Sequence, residues 1–190
     1  MSKGRLEAFS DGVLAIIITI MVLELRAPEE GELSALLPLL PKFLSYILSF
    51  IFVGIYWNNH HHLWQVVERV SGAVLWTNLH LLFWLSLIPF ATGWMGESGF
   101  AVVPVALYGL VLWMCGLAYY IMARELIANH SKDSLLVSAL GNNRKERWSL
   151  GLYTAAVPLA FIGPWISMVI YVIVAIMWLM PDPRIERKVA

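Results

Sequence analysis

The chain has 190 residues, of which 59% are hydrophobic and only 14% are charged, and its formal net charge at pH 7 is zero. A soluble domain must cover its surface with polar side chains, so this composition excludes an ordinary soluble protein, and the zero net charge excludes a global basic field that would attract nucleic acid. The single cysteine, Cys115, excludes an intrachain disulfide.

Apolar runs long enough to cross a bilayer follow one another along the chain. A hydrocarbon layer about 30 Å thick takes about 20 helical residues, so the runs predict an all-α, polytopic membrane protein that forms a single domain over residues 1–190, with six transmembrane helices. The predicted spans are residues 6–25, 38–65, 72–95, 100–127, 147–163 and 165–180. Only Gly163 and Pro164 separate the last two spans, and one bent or re-entrant hairpin is the alternative there.

The basic residues of the connections predict the orientation, because cytoplasmic loops carry an excess of Lys and Arg. With the N-terminus inside, only Arg26 and Lys42 of the 13 Lys and Arg residues lie on the outer side, which leaves eleven inside. We therefore expect a multi-pass protein of the cell membrane with both termini cytoplasmic. The polar segment 128–146 is then a cytoplasmic connection between the fourth and fifth spans.

The first span carries polar side chains at its cytoplasmic end, in the segment Arg5-Leu-Glu-Ala-Phe9-Ser10-Asp11. An ionisable group at membrane depth is costly unless it is paired or hydrated, so it marks a candidate functional site. The alternative is that Ser10 and Asp11 only cap or anchor the start of the helix, where the helix dipole favours an acid.

Ile16, Thr19 and Leu23 share one face of the first span, since at about 100° per residue they fall within about 60° of one another. If several copies of the helix surround an axis, Ile16 and Leu23 form hydrophobic constrictions that gate by dewetting, and Thr19 forms a polar ring between them. Ser10 and Asp11 lie more than about 100° from the centre of this face and point toward neighbouring helices. Periodicity alone does not separate a pore face from a lipid-facing one.

The segment from Arg5 through Phe9-Ser10-Asp11 to Gly12-Val13, followed by an isoleucine-rich span that ends in Leu23-Glu24-Leu25, resembles the signature of the transmembrane protein 175 family of potassium channels. The resemblance covers the six-span layout over nearly the whole chain. A single copy of the signature in 190 residues resembles the prokaryotic members, which carry one six-helix unit per subunit and assemble as tetramers. Animal members carry two units, dimerise, and reside in endosomes and lysosomes.

The resemblance implies a weakly selective, potassium-permeable cation channel that is lined by the first helix and lacks a carbonyl filter. By position after Asp11, the family's gate falls on Ile16, its hydroxyl layer on Thr19 and its next constriction on Leu23. The resemblance also implies that the Phe-Ser-Asp group packs against the second and third helices. The implied partners are the lipid bilayer, monovalent cations with K⁺ as the permeant ion, and further copies of the chain in a homotetramer, with no cofactor.

A second polar cluster lies where the second span ends and the third begins, and it contains His60, His61, His62, Asn78 and His80. We expect one or two of these histidines, with Asn78, to hydrogen-bond to Ser10, Asp11 or Arg5 and so to brace the first helix. A histidine that senses pH is an alternative. Metal binding is the least favoured reading, because three consecutive histidines spread over about 200° of the helix. The predicted bracing residues are Arg5, Phe9, Ser10, Asp11, His60, His61, Asn78 and His80.

Other function classes fit the sequence less well than a channel. A secondary transporter usually shows inverted repeats or paired helix breaks near the bilayer centre, whereas Pro89 and Pro158 come without a paired pattern. No nucleophile–base pair, phosphate loop or paired-carboxylate site is recognisable, so an enzyme is the least supported class. A secondary transporter or a structural membrane protein is the alternative to a channel.

Overall fold

The computed structural model describes residues 2–29, 31–67, 70–129 and 144–179, and these residues confirm the predicted all-α class. Its helices are α1 (Lys3–Leu23), a 3-10 helix (Leu33–Leu39), α2 (Leu40–Val66), α3 (Gly72–Ser86), α4 (Ile88–Glu97), α5 (Val102–Ala128), α6 (Arg144–Leu159) and α7 (Pro164–Leu179). Most of the predicted connection 128–146 and the C-terminal residues from 180 onward lie outside the described residues.

Four helical stretches of the described chain are long and apolar enough to cross a membrane. They are Lys3–Leu23, Leu33–Val66, Gly72–Glu97 and Val102–Ala128. The helices α6 and α7 have 16 residues each, which is short for a complete crossing. The chain is therefore a multi-pass membrane protein, while the fifth and sixth crossings and the orientation of the termini stay predictions.

The predicted span 72–95 is two helices and not one continuous helix. It breaks at Leu87, and Pro89 lies in the first turn of α4. Proline has no amide hydrogen, and its ring clashes with the carbonyl of the preceding turn, so a helix ends or kinks there. The correction concerns the continuity of the span, because α3 and α4 together still form one stretch of membrane-crossing length.

α5 is the central helix of the described bundle, and it contacts α3, α4, α6 and α7. In the apolar 18-residue stretch of α5, 56% of the residues are buried, compared with 28% in the corresponding stretch of α1. The close approach of α7 needs Gly109, because a Cβ there would collide with the hydroxyl of Tyr171. That hydroxyl donates to the carbonyl oxygen of Val105 at 3.0 Å, which joins the two helices inside the apolar core.

α1 lies at the edge of this bundle and contacts α2, α3 and α4. Its low burial leaves a broad apolar surface that no other described helix of the chain covers. In a bilayer such a surface must face lipid, another subunit or a water-filled path. The site that the sequence predicts lies on this helix.

Candidate ion pathway along the first helix

α1 is divided into a face that is buried inside its own subunit and faces that are not. The buried residues recur every three or four positions, as expected for one side of a helix. They are Leu6, Ser10, Leu14, Ile17 and Met21.

The three predicted pore residues lie away from that buried side. The exposed fraction is 60% for Ile16 and 72% for Leu23, and Thr19 is exposed between them. The Thr19 hydroxyl donates to the carbonyl oxygen of Ala15 at 2.8 Å, so its proton is used within the helix and its oxygen can still accept a hydrogen bond or contact a cation. This surface therefore offers two apolar side chains with one electron-rich oxygen between them.

Asn78 is the centre of a buried chain of polar contacts that joins α1, α2 and α3. Asn78 Nδ2 donates to Ser10 Oγ at 3.0 Å, and Ser10 Oγ donates to the carbonyl oxygen of Leu6 at 2.9 Å. On the other side of Asn78, its Oδ1 lies 2.8 Å from His60 Nε2. Ser10, His60 and Asn78 are all at most 3% exposed, so water does not substitute for any of these bonds.

The tautomer of His60 decides which of two neighbours it binds. Trp64 Nε1 lies 2.8 Å from His60 Nε2, the same nitrogen that faces Asn78. An indole N–H can only donate and an amide oxygen can only accept. His60 Nε2 therefore donates to Asn78 when it carries a proton, and accepts from Trp64 when it does not.

Asp11 has a different partner from the one that the sequence suggests. Its Oδ1 accepts from Trp57 Nε1 at 3.2 Å, and the described residues bring no histidine to its carboxylate. His61 instead stacks on Trp57, with ring centroids 5.9 Å apart and an interplanar angle of 15°. Sequence reasoning misses Trp57, although its separation of four residues from His61 places the two on one face of α2.

The remaining predicted bracing residues stand apart from the Asn78 chain of polar contacts. His80 accepts from Trp84 Nε1 at 2.9 Å within α3. Arg5 is exposed, and Phe9 is 51% exposed. In the described ranges, no three side chains of His, Cys, Asp or Glu converge in a way that could hold a metal ion.

Charged side chains meet at the opposite end of α1. Lys42 Nζ lies 3.1 Å from Glu97 Oε1 in a salt bridge between α2 and α4. Glu24 lies against α4 at Gly93, where a Cβ would stand only 3.1 Å from Glu24 Oε2. These four residues help to line a small, open cavity. Two carboxylates and one ammonium give this cavity between α1, α2 and α4 a net negative charge.

Known proteins are similar to this chain in the helices that carry the Ser10, Asn78 and His60 side chains. Residues 5–89 match the family model described as endosomal/lysosomal potassium channel TMEM175. A protein of Chryseobacterium sp. that is named a potassium channel is 55% identical over 188 residues, which cover 99% of this chain and 98% of that protein. The matched family segment includes all but the first two residues of α1 and the whole of α2 and α3, the helices joined through Asn78.

A solved structure matches the fold over most of its length. The crystal structure of a lysosomal potassium-selective channel TMEM175 homolog from Chamaesiphon minutus has a TM-score of 0.80 and 32% identity, and the match covers 93% of this chain and 96% of that one. The human endosomal/lysosomal proton channel TMEM175 is 35% identical over 116 residues, which are 55% of this chain but 23% of the human protein.

Proposed function

Because the chain belongs to the transmembrane protein 175 (TMEM175) family of potassium channels, we propose that it is a weakly selective, potassium-permeable cation channel whose pore is lined by α1. The functional unit is a homotetramer in the cell membrane, with six crossings per subunit and both termini in the cytoplasm. The family and its homologues are channels and not enzymes.

The observation that carries the proposal is the exposure of Ile16, Thr19 and Leu23 on a helix whose other side is buried. Four copies of α1 around an axis bring four Ile16 side chains together, and four Leu23 side chains meet about 10 Å further along the axis. Apolar rings of this kind resist wetting and so act as gates. The four Thr19 hydroxyl oxygens between them give a partly dehydrated K⁺ its polar contacts.

The bonds of Ser10 support this role, because they set the rotation of α1 about its own axis. If α1 rotated about its own axis by one residue position, every side chain would move by about 100°, and Ile16 would point away from the pore axis. Asn78 holds Ser10 from α3, and His60 holds Asn78 from α2. The three residues therefore act as positioning residues for the gate and do not contact the ion.

The negative cluster at the outer end supports a preference for cations. Glu24 and Glu97 together outweigh Lys42, and all three line one cavity at the end of α1. A surplus carboxylate at the mouth of a narrow path raises the local concentration of cations and lowers that of anions.

The test is a current recording from the purified protein in a planar bilayer, with potassium on one side and sodium on the other. We expect cation currents that reverse at a small potential of the sign that a preference for potassium over sodium gives, because a pore that does not distinguish the two ions reverses at zero. A saturable flux that depends on a second, coupled ion would indicate a transporter. A pH-sensitive dye in matching liposomes detects proton flux. The human relative is named a proton channel, so this measurement tests for the same activity here. Proton flux without potassium flux would overturn the proposal.

A further inference from the structure

A small, open cavity lies between α2, α5, α6 and α7, and no residue of α1 lines it in the part of the chain that the structure describes. α2 lines it from Phe52 to Asn59, and α6 lines it from Glu146 to Tyr153. Each of these stretches covers a rise of about 10 Å. The cavity is therefore elongated along the helices, and we call it the α2/α6 groove.

The walls of the α2/α6 groove are largely apolar and are held in place by aromatic rings. The Tyr119 ring packs edge-on against Tyr56 and against Trp178, with ring centroids 6.3 Å and 6.5 Å apart. Trp178 Nε1 donates to Ser149 Oγ at 2.7 Å, which fastens α7 to α6. Gly116 lines the groove without a side chain that could fill it. Because apolar walls offer little to a hydrated ion, the groove suits a hydrocarbon chain.

One end of the groove is polar and lies at the level of the lipid headgroups. Asn59 and Glu146 line this end, and Glu146 belongs to the first turn of α6. Arg144 and Arg147 stand on either side of Glu146 in the sequence, and both are exposed. Trp148 is 65% exposed next to them, and exposed tryptophans gather at the membrane–water interface. The groove therefore leads from the headgroup level toward the interior of the membrane.

A phospholipid matches this arrangement, because a bilayer holds acyl chains and headgroups at these same two depths. An empty groove would deprive its wall atoms of contacts, and an acyl chain supplies them. The headgroup must suit charges of both signs. An anionic headgroup would be attracted by Arg144 and Arg147 but repelled by Glu146, whereas a zwitterionic headgroup brings a phosphate to the arginines and an ammonium group to the acid.

We propose that the α2/α6 groove binds one phospholipid with a primary ammonium group, such as phosphatidylethanolamine. One acyl chain lies between the aromatic walls, and the phosphate contacts Arg144 and Arg147. The ammonium group donates to Glu146 and to Asn59 Oδ1, since Asn59 Nδ2 already donates to the carbonyl oxygen of Ile55 at 2.8 Å. The inference needs only the membrane location of the chain and goes beyond the proposed channel activity.

Native mass spectrometry of the full-length protein in mild detergent tests the headgroup. The protein is mixed with equal amounts of phosphatidylethanolamine and phosphatidylglycerol that carry identical acyl chains. Wild type should retain phosphatidylethanolamine severalfold more than phosphatidylglycerol, and Glu146→Gln should bring this ratio close to one. Glu125→Gln is the matched control, because it removes the same charge near the end of α5, outside the groove. Equal retention of the two lipids by wild type, or equal effects of the two changes, would overturn the assignment.

Filling the groove gives a second, independent measurement. Gly116→Leu places a side chain where the acyl chain lies and should lower the retention of both lipids severalfold. Gly151→Leu is the control, because no atom lies within 4 Å of a Cβ at that exposed position of α6. Equal retention by these two variants would refute the groove as the binding site. Should Gly116→Leu fail to fold, the ratio measured for Glu146→Gln decides alone, because that change keeps the shape of the side chain.

Discussion

Asn78 of α3 donates a hydrogen bond to Ser10 of α1 across 3.0 Å, although the two residues are 68 positions apart in the chain. This buried bond couples the rotation of the proposed pore helix to a helix that lies away from the pore. The proposed gate on Ile16 and Leu23 therefore depends on side chains that lie away from the proposed ion path.

Replacement of Asn78 by Ala should destabilise the protein and disturb gating together. The change leaves Ser10 and His60 without their shared partner, and a buried polar group left unsatisfied costs about 1–3 kcal/mol. We expect a lower unfolding temperature in detergent and an altered open probability. Thr77→Ala is the control, because the Thr77 hydroxyl donates only to the carbonyl oxygen of Val74 on its own helix. Equal effects of the two changes would argue against a bracing role for Asn78.

Replacement of Ile16 by Ala should raise the resting leak of potassium through liposomes. A smaller ring wets more readily, so the barrier to an ion at the constriction falls. Ile176→Ala removes the same atoms from a side chain that is 54% exposed on α7, compared with 60% for Ile16. Flux that is unchanged in both variants, or raised equally, would remove Ile16 from the gate.

Replacement of Asp11 by Ala should reduce assembly or open probability more than it changes ion preference. The carboxylate accepts from Trp57 on α2 and lies about 140° from Ile16, so it acts through helix packing and not on the ion. Asp11→Asn keeps an oxygen that can accept this bond and should retain more channel activity. A large shift of the reversal potential in either variant would mean that Asp11 faces the ions.

Replacement of Glu24 by Gln should lower the potassium conductance at low ionic strength. The change cancels the surplus negative charge of the cavity that Glu24, Lys42 and Glu97 line. Screening shortens the reach of a charge from about 30 Å at 0.01 M to about 3 Å at 1 M salt, so the difference from wild type should vanish in concentrated KCl. Glu32→Gln removes the same charge from a residue outside this cavity. A loss of conductance that does not depend on salt would contradict an electrostatic role.

Replacement of Gly109 by Ala should destabilise the packing of α5 against α7. The new methyl group would occupy the position of the Tyr171 hydroxyl, and overpacking of this kind costs about 1–3 kcal/mol. Gly116→Ala on the same helix is the control, because its Cβ would meet Leu150 at an ordinary 3.5 Å. The comparison needs only thermal unfolding in detergent, and similar unfolding temperatures for the two variants would refute the close contact.

The sequence by itself determined the membrane class, the helical structure and the family. In lipid every backbone amide must be hydrogen-bonded internally, so a long apolar run can only be a helix, and the runs ending near Leu23, Val66 and Ala128 are found as such. The helical repeat also places Ile16, Thr19 and Leu23 on one side before any fold is known.

Only the tertiary structure decided which side chains meet between helices. Three consecutive histidines point in directions about 100° apart, and the rotation of α2 is what turns His60, and neither of its two neighbours, to Asn78 of α3. The partner of Asp11 lies 46 residues away, so its identity depends on the tilt and rotation of two packed helices. Spacing along one chain segment carries no information about either angle, because each is set by the packing of the whole bundle.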